Sequence, residues 1–199
     1  MSEPLRLGFL ASHGGSSMRA IVGAIQAGQL AAEAVIAISN NGESPALTWA
    51  RGNGLQTLHI SAATEGDAQG ADRAIAEALT QAGVGLVVLS GYMRKVGPET
   101  LARFAGRILN VHPALLPAHG GQGMYGARVH AAVLAAGDTV SGATIHWVDG
   151  EYDHGAVVRQ GQCPVLPDDT VETLQARVQA LEPGLYIEAL KGISTGKGG

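Results

Sequence analysis

Asn110-Val111-His112-Pro113, together with Asp153 in Glu151-Tyr152-Asp153-His154-Gly155, supplies an amide, an imidazole and a carboxylate, the side-chain types that suit chemistry at a carbonyl carbon. Asn110 and His112 are two residues apart, so on a strand both face one side, and Pro113 biases His112 toward an extended backbone. An amide donates, and a histidine donates or carries a proton. The pair therefore suits an oxygen that turns negative in a tetrahedral intermediate. Asp153 could fix the imidazole's protonation or accept a proton through water. Ordinary explanations stand beside these: an Asn shortly before Pro can start a turn, a strand-end histidine can be satisfied by backbone, and Asp153 lies in a turn-like sequence.

Ser12-His13-Gly14-Gly15-Ser16-Ser17 follows the first apolar run and opens a helix-period segment. Such a turn points backbone N–H groups outward at a helix N-terminus, where a phosphate can approach glycine closely. It is neither Gly-x-Gly-x-x-Gly nor a P-loop, which disfavours dinucleotides and ATP, and it is also readable as a plain Gly-Ser turn with a serine cap. Seven histidines (13, 59, 112, 119, 130, 146 and 154) offer potential ligands, but no His-x-x-x-His pair or Cys/His cluster is present, so no metal site is expected. His146 alternates with Ile145 and Trp147 and reads as a core histidine or a neighbour of the site. The single cysteine, Cys163, has no base beside it in sequence and reads as a small core side chain in a reducing compartment. The glycine-rich segment from Pro117 to Gly126 reads either as a lid that closes over a substrate or as a tolerated surface loop.

The elements that must position these groups follow from hydrophobic periodicity. Apolar runs at Leu5–Ala11, Ala34–Ser39, Leu55–Ile60, Val84–Ser90 and Arg107–Val111 predict strands, with helices over Ser17–Ala27, Pro45–Asn53, Asp72–Ala82 and Pro98–Phe104. This alternation predicts a doubly wound, mostly parallel α/β sheet. A short helix near Arg128–Ala136, strands at Ser141–Val148 and Ala156–Val165 as an antiparallel extension, and a last helix over Thr170–Lys191 interrupted at Pro183 complete the expectation. One domain is expected over residues 1–194, followed by a flexible Gly-rich tail at 195–199. The 199 residues are 46% hydrophobic and 4% aromatic with a net charge of −4 and no basic run, which argues for small-molecule chemistry and against nucleic acid. No stretch is long and apolar enough to span a bilayer, so a cytoplasmic protein is expected, with monomer and homodimer both open.

Read together, these segments resemble the folate-dependent phosphoribosylglycinamide formyltransferases of de novo purine biosynthesis, whose fold is Rossmann-like. The resemblance runs over nearly the whole chain. It rests on Gly14-Gly15-Ser16-Ser17-Met18, Ile38-Ser39-Asn40, Ser90-Gly91-Tyr92-Met93-Arg94, Leu109 to Pro117, and Gly142 to Val148 leading to Asp153. It implies that Asn110, His112 and Asp153 are catalytic, that Gly15, Ser16 and Ser17 contact the phosphate of glycinamide ribonucleotide, and that Glu182 holds its ribose hydroxyls. It further implies 10-formyltetrahydrofolate as co-substrate, lying along Met93, Arg94, Val96, Asn110, Val148, Asp149 and Asp153, with no metal. Three departures from the family pattern stand out. Ser17 replaces an asparagine at the phosphate turn, Ala68 replaces an arginine that some members set against the folate, and the Gly120–Tyr125 loop is longer than in the familiar bacterial form. Formyltetrahydrofolate hydrolases share the scaffold and a similar Asn/His/Asp set but generally carry a preceding domain, for which a first strand at Leu5 is expected to leave no room. A non-catalytic binder of phosphorylated ribosides is the remaining alternative.

Overall fold

The computed structural model describes residues 4–194; the expected Gly-rich tail lies outside the described residues. The chain forms two compact units, one ending at Leu109 and the other starting at Asn110.

In the first unit, β1 (Leu5–Ala11), β2 (Ala32–Ser39), β3 (Gln56–His59) and β4 (Leu86–Leu89) pair in the order β3-β2-β1-β4, all parallel. The first two residues of β5 (Ile108–His112) continue this parallel pairing against β4. Because β1 has β2 on one side and β4 on the other, the chain reverses its winding there, and the carboxyl ends of β1 and β4 flank the switch point where open α/β sheets collect ligands. β4 and the carboxyl-terminal parts of β1 and β2 are buried on both faces, as parallel strands covered by helices must be, while the edge strand β3 keeps exposed polar residues. Leu7, Phe9, Leu10, Ile36, Ile38 and Leu86 through Val88 are almost wholly buried.

The crossover helices are α1 (Ser16–Gln26), α2 (Pro45–Gly52), α3 (Ala62–Glu65), α4 (Ala68–Gln81) and α5 (Pro98–Arg103). Their starts follow local chemistry. Ser44 caps α2 with Pro45 in its first turn, Ser61 and Thr64 form a capping box on α3, and Asp67 caps α4 through the Gly70 N–H. Neither α3 nor the first turn of α4 was expected from the sequence, where Gly66 and Gly70 make the stretch look like loop.

In the second unit, the rest of β5 leads through the glycine-rich segment to α6 (Ala127–Ala136), then to antiparallel β6 (Val140–Trp147) and β7 (Val157–Pro164), α7 (Val171–Gln179) and α8 (Glu182–Ser194). A doubly wound parallel sheet followed by antiparallel C-terminal strands is thus what the chain builds. Val133, Ala143, Cys163, Leu174 and Val178 form a core cluster here, and burial raises the Cys163 thiol pKa, consistent with a packing role. The final helix is two helices broken at Ala180–Leu181, not at Pro183. Pro183 instead occupies the first turn of α8, where its missing N–H costs nothing.

Candidate active site

β5 carries Asn110 and His112, and its exit is held by a buried polar knot. Thr144 Oγ1 donates to the Ala114 carbonyl at 2.7 Å and accepts from the Leu116 N–H at 3.1 Å, while the Gln160 amide donates to Thr144 Oγ1 and to the Leu116 carbonyl, each at 2.9 Å. Tyr186 of α8, fully buried, adds a hydrogen bond to the Val111 backbone between the two candidate residues.

Four polar side chains converge at this strand end. His112 Nδ1 is 3.3 Å from Asp153 Oδ2, Asn110 Nδ2 is 3.3 Å from His146 Nε2, and His146 Nε2 is 3.6 Å from Asp153 Oδ1. The side chains of His112 and His146 are each 3% exposed and that of Asp153 10%. The three sequence-predicted catalytic residues are therefore brought into one set, with His146 as the fourth member linking Asn110 to Asp153.

The electrostatics assign roles. Burial lowers the His146 pKa, with the nearby His112 adding to that effect against the opposing Trp147 carbonyl and Asp153 carboxylate, so His146 is neutral at neutral pH. Its Nδ1 lies 2.9 Å from the Trp147 carbonyl, an acceptor only, which puts the ring proton on Nδ1 and leaves Nε2 to accept from the Asn110 amide. One Asn110 N–H is thereby committed to His146, which leaves the other for a second acceptor. For Asp153, burial pushes the carboxyl up, but the hydrogen bond and charge of His112 and the Gly121 N–H at 3.0 Å outweigh it, and the net pKa falls below the ordinary value. Asp153 remains a carboxylate.

Asp153 itself adopts φ 56°, and two residues on Gly155 passes so close to Trp147 that an added Cβ would sit 1.7 Å from the Trp147 carbonyl oxygen. The turn carrying Asp153 is thus clamped onto the end of β6 that carries His146. Val148 is half-buried at its start and Asp149 is exposed. Asp149 accepts from the Glu151 N–H at 2.8 Å and faces His154 Nδ1 at 3.1 Å; the Glu151 N–H is the main cause of its lowered pKa. Glu182 opens α8 one turn before Tyr186, and desolvation raises its carboxyl pKa from 4.5 to about 7.

The first unit holds the other candidates. Gly15 caps α1 at φ 63°, where an added Cβ would press on Met18 and Ala46, and no side chain caps that helix. Ser16 is exposed and Ser17 buried. Arg19 stacks over Trp49 and donates to the Gly14 carbonyl at 2.8 Å, which fixes the turn. Ser12 bonds to Asn40 at 2.6 Å and accepts from the Met93 N–H at 2.8 Å, tying the ends of β1, β2 and β4 together. Arg94 and Val96 line a cavity of about 840 Å³ with Asn40, Ala68, Asp72 and Tyr92, while Met93 is 52% exposed and outside that lining.

Two participants had no clear sequence signal. His146 pairs with Asn110 across 36 residues, and the only hint was its alternation with buried neighbours. The other is the backbone around His119, whose carbonyl lies 2.8 Å from His112 Nε2. Every residue carries a carbonyl, so no residue type could have marked it.

A family model described as formyl transferase matches residues 5–190. The chain belongs to the formyl transferase family. Among curated members, a phosphoribosylglycinamide formyltransferase of Haemophilus influenzae is 32% identical over 96% of this chain and 88% of its own length. Chloroplastic enzymes of the same name from Arabidopsis thaliana and Vigna unguiculata are 38% and 37% identical, and the chain spans 66% and 60% of their lengths. Among solved family structures, glycinamide ribonucleotide transformylase 1 of Symbiobacterium toebii superposes with a TM-score of 0.92 at 36% identity, covering 98% of this chain and 90% of that one. A formyltetrahydrofolate deformylase of Pseudomonas syringae shares the fold at 19% identity and a TM-score of 0.87, covering 98% of this chain and 63% of that one.

Proposed function

We propose that this formyl transferase moves the formyl group of 10-formyltetrahydrofolate onto the primary amine of glycinamide ribonucleotide, a step of purine biosynthesis. The observation that carries the reading is the buried Asn110–His146–Asp153–His112 set in a chain 32–38% identical to enzymes of that name. The amine attacks the formyl carbon, forming a C–N bond. The tetrahedral intermediate then expels the N10 nitrogen of the folate, which takes a proton. The uncommitted N–H of Asn110 donates to the oxyanion, His112 supports the same charge, and Asp153 accepts the proton that the attacking amine must lose. No step needs a metal.

On the same reading, Gly15, Ser16 and Ser17 take the ribonucleotide's phosphate and Glu182 its ribose hydroxyls. Met93, Arg94, Val96, Val148 and Asp149 take the folate, and the protein is cytoplasmic. The single domain expected from the sequence, residues 1–194, belongs to this proposal. It is supported by one family model spanning residues 5–190.

The test follows loss of the formyl-folate with purified protein and glycinamide ribonucleotide. Turnover that saturates in both substrates and collapses in a folded Asn110→Ala variant is expected. Full turnover in that variant would remove Asn110 from the mechanism.

A further inference from the structure

The Gly14–Gly15 peptide leads into α1, and the side chain that holds it comes from inside that helix. Gly15 is left-handed, φ 63° and ψ 44°, and Ser16 after it is helical, a succession that turns the N–H groups of Gly15, Ser16 and Ser17 into one concave nest. None of these three N–H groups has an acceptor among the described residues. The next one does, since the Met18 N–H donates to Ser90 Oγ at 2.9 Å. Ser17 is 3% exposed, yet its hydroxyl also has no partner among the described residues, and a Cβ on a helix tilts toward the N-terminal end. Polar groups of buried residues such as Gly15 and Ser17 are ordinarily paired, so these open donors mark a place for an anion.

A trans peptide points its C=O and its N–H in opposite directions, so whatever holds the Gly14 carbonyl also aims the Gly15 N–H. With glycine on both sides, this peptide is otherwise free to turn over. Arg19 holds it. Its Nε donates to the Gly14 carbonyl at 2.8 Å and its Nη2 to the Pro45 carbonyl at 3.3 Å, while the guanidinium stacks 5.5 Å from the centre of the Trp49 ring.

We propose that Arg19 is a positioning residue for phosphate: its bond to the Gly14 carbonyl keeps the Gly14–Gly15 peptide turned so that the Gly15 N–H completes the nest. A nest ordered in advance binds more tightly than one that must be ordered by its ligand. The role rests on the phosphate assignment within the formyl-transfer reading, but not on the chemistry of the transfer.

The experiment titrates ¹⁵N-labelled protein with ribose 5-phosphate and, separately, with ribose, following the amides of Gly15, Ser16 and Ser17 in proton–nitrogen correlation spectra. In wild type these amides should shift and saturate with ribose 5-phosphate and stay in place with ribose. Two variants separate what the arginine does. Gln Nε2 is as many bonds from Cα as Arg Nε, so Arg19→Gln keeps a donor for the Gly14 carbonyl without the charge, whereas Arg19→Met keeps the packing and has no donor. Arg19→Met should weaken the Kd for ribose 5-phosphate about ten-fold, while Arg19→Gln stays within about three-fold of wild type. The rest of each spectrum reports the fold. KM for glycinamide ribonucleotide should follow the same order, with KM for the formyl donor unchanged. Wild-type affinity in Arg19→Met would remove Arg19 from phosphate capture, and equal losses in the two variants would assign its effect to charge; either result overturns the proposal. Amides that never move in wild type would remove the phosphate assignment itself, and the proposal with it.

Discussion

Replacing Asn110 by alanine removes the one amide whose orientation is set by a neutral histidine, and a lost oxyanion donor of this kind typically costs 10² to 10³ in kcat, about 3–4 kcal/mol of barrier. His146→Phe should act through Asn110. With no acceptor at Nε2 the amide can rotate, so kcat should drop by about ten-fold while KM changes little, as steady-state kinetics would show. A His146→Phe enzyme with wild-type kcat would mean that Asn110 is held by something else. At this scale the sequence was partly legible. Asn110 and His112 announce themselves because alternation on a strand forces them to one face. Asp153 could be nominated as a partner for the imidazole, but nothing local distinguishes it from the turn residue Asp149, and the family likeness is what singled it out. His146 leaves only its alternation with buried neighbours as a trace, and the carbonyl of His119 joins the set through a tertiary contact that leaves none.

At the level of elements, α5 and the Arg94–Gly97 segment before it depend on a residue from another helix. Asp72 of α4, 5% exposed, accepts from the N–H groups of Glu99 and Thr100 at 2.7 and 3.1 Å and from the Thr100 hydroxyl at 2.6 Å, capping α5 where Gly97 has no side chain to offer. Gly97 is required there because an added Cβ would lie 2.2 Å from Asp72 Cγ. Asp72→Ala strands these donors and should destabilise the protein by about 2–4 kcal/mol, with KM for the folate rising because Arg94 and Val96 sit on the loosened segment; a denaturant titration and saturation curves check both. The strands and most helices could be read from periodicity because each carries its own apolar pattern. The short α3, the first turn of α4 and the split between α7 and α8 could not. Gly66 and Gly70 hide the first two, and Pro183 reads as a breaker although a first-turn proline favours a helix start.

For the molecule as a whole, Glu182 makes stability depend on pH near neutrality. Its folded pKa, raised to about 7 by burial, exceeds the ordinary 4.5, so the folded state binds its proton more tightly than the unfolded chain does. That contribution is complete below about 4.5 and is lost as pH rises through 7. Glu182→Gln, uncharged at every pH, should therefore gain stability relative to wild type as pH rises from 5 to 8, seen as a widening gap in Tm. Parallel Tm curves would show that Glu182 is solvated. The same residue should bind ribose hydroxyls better once ionised, because a charged acceptor makes the stronger hydrogen bond. KM for the ribonucleotide should fall across that interval in wild type and stay flat in the variant. Among the described residues no helix is long and apolar enough to cross a membrane.

The central claim is that the Asn110–His146–Asp153–His112 set delivers a formyl group to an amine and not to water. The most direct measurement supplies 10-formyltetrahydrofolate carrying ¹³C in the formyl carbon and follows free formate and formylated ribonucleotide in one spectrum, with and without glycinamide ribonucleotide. The account predicts labelled product that appears only with the acceptor, matches the folate consumed and leaves formate at background. Formate released at the same rate with and without the acceptor would contradict it and assign the site to hydrolysis.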